Sequence, residues 1–112
     1  MKRLPGNRVL FTQEYVYNLQ DFSGFDIWAT KGSIGVVMSI EEIVTDWNSQ
    51  ENPNPYYNPA RIKNWMDKGE KYPIRLLSVE PYTGDTTGLY ENRCIVGEIQ
   101  IYDANPNFMR II

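Results

Sequence analysis

The run Ile34-Gly35-Val36-Val37-Met38-Ser39-Ile40 is the strongest constraint on what this chain can fold into. It is short, apolar and rich in β-branched residues, and Lys31-Gly32-Ser33 precedes it as a turn, so it reads as a strand. A glycine inside such a run marks a bulge, a sharp bend or a close approach of another backbone. The strand is expected to extend toward Ile43 and Val44.

Other runs share this character. After the turn Pro5-Gly6-Asn7, residues 8–17 are β-branched and aromatic, with Val9 and Phe11 on one face and Arg8, Leu10 and Thr12 on the other. Tyr15-Val16-Tyr17 can begin a separate element. Asn18 to Thr30 reads as a loop whose Phe25, Ile27 and Trp28 pack inward. A third strand is expected over Tyr72–Val79 and a fourth over Cys94–Tyr102. A short fifth covers Phe108–Ile112, and Pro81 to Tyr90 is read as a loop.

One helix is expected, over Pro59–Lys68. Asn58 fits its N-cap, Pro59 its first position and Gly69 its left-handed C-terminal stop. Ile62, Trp65 and Met66 form its apolar stripe. The helix sits in an Asn-, Pro- and Tyr-rich insert at about 45–71, where Pro53, Pro55 and Pro59 restrict the backbone.

With 112 residues, 42% of them apolar and 22% charged, the chain has the balance of one globular domain. The expected fold is mostly β, a small five-stranded curved barrel with one short helix in an insert. The segments Gly6-Asn7-Arg8-Val9 and Lys31-Gly32-Ser33-Ile34-Gly35-Val36-Val37 resemble the opening of SH3-like small β-barrels. Those barrels include accessory subunits of redox enzymes and RNA-binding KOW domains. The resemblance implies a binding or accessory role, because fold alone assigns no chemistry.

Composition narrows the chemistry. The chain has no histidine, which excludes His-dependent catalysis and His metal ligation. Its one cysteine, Cys94, cannot form an internal disulfide and reads as a buried small hydrophobe. The net charge is −3 and Lys2–Arg3 is the only adjacent basic pair, so nucleic acid is an unlikely partner. That alternative would need Arg8, Lys31, Arg61, Lys63, Lys68 and Lys71 to converge beside aromatics. No apolar run reaches membrane-spanning length and no signal-type stretch follows Met1, so the cytosol is the expected location.

Motif fragments fail on spacing. Lys31-Gly32-Ser33 has phosphate-loop residues in the wrong order and leads into a strand. Asp103-Ala104-Asn105-Pro106-Asn107 starts like a calcium loop but has Phe108 where glycine is required; it reads as an Asx turn. Glu41, Glu42 and Asp46 read as a solvated acidic group on a loop or strand end. No catalytic residue, metal site or cofactor is expected.

Trp47, Tyr56 and Tyr57 lie within or beside the proline-rich part of the insert, and Tyr82 and Tyr90 flank a second loop. Trp and Tyr are enriched at binding hot spots, and prolines reduce the entropy lost on docking. These five residues are the expected protein-binding set, although aromatics in an insert also serve to cover a core. The expected function is a non-enzymatic protein-binding module or accessory subunit. A nucleic-acid-binding barrel is one alternative. A small ligand-binding or enzyme subunit is another, with Glu98, Asp46 and the tyrosines as its pocket.

Overall fold

The computed structural model describes residues 3–19, 24–84, 87, 89–94 and 100–112, with the backbone alone for 17–19, 24–25 and 89–94. Its elements in chain order are β1 (Arg8–Phe11), β2 (Tyr15–Leu19), β3 (Gly24–Ala29), β4 (Ile34–Val37), α1 (Ile40–Ser49), α2 (Pro59–Lys68), β5 (Tyr72–Ser78), β6 (Leu89–Cys94), β7 (Gln100–Ala104) and β8 (Met109–Ile111). Single 3₁₀ turns lie at Pro55–Tyr57 and Pro106–Phe108.

The main sheet is antiparallel, in the order β7-β5-β4-β1-β8. In chain order this is a meander, β1-β4-β5-β7, with β8 returning beside β1. The sheet is open: β7 and β8 are its edges and do not pair with each other. The closed five-stranded barrel expected from the sequence is thus replaced by an open five-stranded sheet, a second sheet and two helices. The second sheet, β2-β3-β6, pairs β2 with β3 antiparallel and β3 with β6 parallel.

The core explains the main sheet. Val9 and Phe11 are fully buried on one face of β1 while Arg8 and Thr12 stay exposed on the other. Val37, Ile74, Leu76, Ile101, Ala104 and Met109 join them, and Ile43 of α1 and Ile62, Trp65 and Met66 of α2 cover the same face. Gly35 stands where β4 and β5 shift register by a bulge. A Cβ there would collide with the Ile74 side chain and lie 3.1 Å from the Arg75 carbonyl, so two of the three alternatives for this glycine, the bulge and the close backbone approach, are present.

The expected helix forms over Pro59–Lys68. The Asn58 side chain accepts from the Arg61 amide at 2.9 Å, and Gly69 ends the helix at φ 70°. The chain beyond Val37 is not strand, however. Ser39 accepts the Glu42 amide at 3.2 Å and caps α1, so Glu41, Glu42 and Asp46 lie on a helix rather than on a loop or strand end. The insert between β4 and β5 therefore holds two helices and begins before residue 45.

Two expected loops contain strand: Asn18 to Thr30 holds part of β2 and all of β3, and β6 begins at Leu89, inside Pro81 to Tyr90. Residues 18–19 belong to β2 and 24–29 to β3, with Tyr17 opposite Asp26. Asp and Gly are poor strand formers, but pairing on both sides of β3 supplies its backbone hydrogen bonds. Ile27 is buried and Trp28 half-buried, as expected, while the side chain of Phe25 lies outside the described residues. Of the stretch Cys94–Tyr102, Cys94 belongs to β6 in one sheet and Gln100–Tyr102 to β7 in the other. The connecting residues, Glu98 among them, and the side chain of Cys94 lie outside the described residues.

The rejected motifs take other structures. Ser33 follows a tight turn with Gly32 at φ 90°, and its buried hydroxyl bonds Thr30 at 2.7 Å and the Glu80 amide at 3.1 Å. Asn105 accepts the Asn107 amide at 2.9 Å, forming the expected Asx turn. Among the described residues, no helix is long and apolar enough to cross a membrane.

Candidate functional site

The insert folds back on β7 through an aromatic row. Asn54 accepts the Tyr56 amide at 3.0 Å and Pro55 sets the first φ of the 3₁₀ turn, which places Tyr56 and Tyr57 side by side. Their rings meet edge to face at 5.0 Å. Trp65, on α2, packs against both, at 5.6 Å from Tyr56 and 6.4 Å from Tyr57. Tyr57 then meets Tyr102 of β7 at 5.8 Å. The row thus ties the turn to α2 on one side and to the sheet on the other.

Between this row and α1 lies a cavity of about 60 Å³, lined by Ile43, Trp47, Gln50, Asn54, Tyr57 and Tyr102. Its three aromatics come from three elements: Trp47 from α1, Tyr57 from the turn and Tyr102 from β7. Helical spacing brings Ile43 and Trp47, at i and i+4, to the same wall. The cavity is below the ~150 Å³ that accommodates a benzene ring. It suits the end of one side chain rather than a drug-sized ligand, which needs about 300 Å³ or more.

Polar groups hold the walls. The Tyr57 hydroxyl donates to the Asp103 carboxylate at 3.3 Å, and the Tyr15 hydroxyl donates to the Asp103 carbonyl at 3.0 Å. Burial, reinforced by the Asp103 charge and Tyr57, raises the pKa of Tyr15 well above the usual phenol range. Tyr102 donates to Gln100 at 2.7 Å. Its pKa is also raised, chiefly by burial and next by the Asp46 carboxylate, with Arg75 opposing.

A neighbouring stripe of α1, together with Arg75 of β5, lines an open hollow of about 500 Å³, whose residues are Ser39, Glu41, Glu42, Thr45, Asp46 and Arg75. Arg75 and Glu42 form an ion pair at 3.0 Å with off-line hydrogen-bond geometry. Among the described residues, one carboxylate oxygen of Asp46 is buried with no hydrogen-bond donor.

The structure divides the five expected binding residues. Trp47 and Tyr57 line the cavity. Tyr56 flanks it, 45% exposed, with the Arg61 guanidinium 4.9 Å over its ring. Tyr82 lies in the loop after β5, where a Cβ at Gly84 would run into its ring, and it does not line the cavity. The side chain of Tyr90 lies outside the described residues. Trp65 is 7% exposed and belongs to the core.

Sequence reasoning missed Ile43, Gln50 and Asn54 as cavity residues and did not single out Tyr102 among the tyrosines. Ile43 and Gln50 were hidden by reading α1 as strand and loop. Tyr102 lies 45 positions from Tyr57, and only the sheet joins them.

Of the basic residues expected to converge, Arg61 and Lys71 meet aromatics, Lys71 lying 4.8 Å over Trp65; Arg3, outside that set, lies 5.8 Å over Tyr72. Lys63 pairs with Asp67 at 2.9 Å, and Arg8 and Lys31 belong to other elements. No group of three or more Cys, Asp or Glu among the described residues is arranged to hold a metal ion. No protein-family model, no curated protein and no solved structure matches this chain.

Proposed function

We propose that this chain is a non-enzymatic protein-binding module, acting as an accessory subunit of a larger assembly, and that it docks a partner at the cavity between α1, the Pro55–Tyr57 turn and β7. The observation that carries this reading is the cavity wall, where Trp47, Tyr57 and Tyr102 converge from three elements. Rigid Trp and Tyr rings give large contact area for little lost entropy. The capped turn and α1 hold them in place before binding, which lowers the cost of docking.

The resemblance to SH3-like barrels supports the same role. The strand order β7-β5-β4-β1-β8 is a four-strand meander with the last strand beside the first. This connectivity would close a five-stranded barrel if β7 and β8 met. A cytosolic setting belongs to the same proposal. Nucleic acid fits less well, because the chain's own Arg61 and Lys71 already cover Tyr56 and Trp65 and bases would compete with them for those rings.

The test compares the intact chain with a Trp47→Ala/Tyr57→Ala variant whose fold is verified by circular dichroism. A partner is recovered from native lysate, identified, purified and titrated against both. Loss of two hot-spot aromatics is expected to weaken binding at least about tenfold. Equal affinity for both proteins rejects the cavity as the docking site.

A further inference from the structure

The faces of Trp and Tyr rings carry negative potential and attract cations. This chain uses that attraction on the α2 side of its aromatic row, where Arg61 lies over Tyr56 at 4.9 Å and Lys71 over Trp65 at 4.8 Å. The side facing α1 is built differently. It has Trp47, Tyr57 and Tyr102 around a cavity whose lining contains no basic residue.

Charge close to the cavity bears on what can enter it. The α1 helix carries Glu41, Glu42 and Asp46 and has no basic residue in its last turn. In the hollow on its acidic side, Arg75 is the one lining cation, and it pairs with Glu42. That leaves Glu41 and Asp46 uncompensated by this arginine. Asp46 is next to Trp47 in sequence, and its charge is felt at Tyr102, on the cavity wall, where Arg75 opposes it only in part. An aromatic cavity beside an acidic helix face complements a positive group, and partial burial strengthens the attraction.

We infer that the cavity takes the cationic head of an arginine or lysine supplied by the partner, within a basic segment that runs along the acidic face of α1. The inference rests on the docking reading at this cavity and names the chemistry of the occupant. The cavity, at about 60 Å³, has the size of a side-chain tip rather than of a small-molecule ligand.

The test is a titration of the isotope-labelled full chain with a blocked heptapeptide, Gly-Ser-Gly-Arg-Gly-Ser-Gly, followed by NMR at the Trp47 indole N–H. A second peptide carries citrulline, which keeps the shape of arginine without its charge. The arginine peptide is expected to shift the Trp47 signal and to bind about three- to fivefold more tightly than the citrulline peptide. Added salt narrows that gap, and Asp46→Asn weakens the arginine peptide while leaving the citrulline peptide unchanged. Equal affinity of the two peptides overturns the cationic occupant. Silence of both, with the natural partner still lost in the Trp47→Ala/Tyr57→Ala variant, overturns it too and leaves the docking reading standing.

Discussion

At the residue scale, Gly35 joins sequence to packing most directly. Its Cα faces the Ile74 side chain and the Arg75 carbonyl so closely that no Cβ fits without displacing them. Ile74 is fully buried in the core and has little room to give. Gly35→Ala is therefore expected to destabilise the fold by about 1–3 kcal/mol, although alanine is otherwise the better strand residue. Urea denaturation checks this as a lower midpoint with an unchanged slope. An unchanged midpoint would mean that β4 and β5 are less tightly apposed than described. This glycine was legible in the sequence because a lone Gly in a β-branched run has few other uses. The helix-ending Gly69 was legible for a similar reason, since the stop of α2 needs a left-handed residue. The cavity residue Tyr102 was not legible, because its role depends on a neighbour brought close only by the sheet.

At the element scale, α1 shows where local reading fails. Six of the eleven residues 34–44 are β-branched, and propensity favours extending the strand. The competing signals were weaker but present. Ser39 and Glu42 have the spacing of a capping box, and Ile40, Ile43, Val44 and Trp47 recur at helical intervals. Tertiary structure settles the choice, because Ile43 as a helical residue reaches the core that α2 also covers. The cap has a measurable consequence. Ser39→Ala removes the acceptor for the Glu42 amide and is expected to cost about 1 kcal/mol. Because α1 carries Trp47 to the cavity wall, the same change is expected to weaken partner binding without touching a cavity residue. Thermal denaturation paired with the binding titration checks both. A stability loss with undiminished binding would separate the cap from the site. The hairpin β2–β3 escaped notice for a related reason: Asp26 and Gly24 discourage a strand locally, and only pairing with partners on both sides supports it.

At the scale of the whole molecule, Asp103 connects parts that are distant in sequence. It belongs to β7 of the main sheet, accepts from Tyr57 of the insert through its carboxylate, and accepts from Tyr15 of the second sheet through its carbonyl. Tyr15 also packs edge to face on Phe11 at 6.4 Å and on Phe108 at 5.7 Å. The two sheets and the insert therefore share one polar and aromatic junction, and its ionisation should register in global stability. The pKa of Tyr15 is raised by burial and by the adjacent carboxylate. In the unfolded chain this tyrosine ionises near pH 10. Above that pH the unfolded state loses its proton while the folded state keeps it, so stability falls as pH rises. Below about pH 10 both states are protonated and the contribution is constant. Tyr102, raised in the same direction, adds to the trend. Tyr15→Phe is expected to cost about 1 kcal/mol at neutral pH through the lost hydrogen bond, yet to lose stability less steeply than the parent above pH 10. Melting temperatures of both proteins across neutral and alkaline pH decide the matter. Converging curves at high pH place the Tyr15–Asp103 junction among the contacts that hold the sheets and insert together; parallel curves would show that Tyr15 ionises no differently in the folded chain than in the unfolded one.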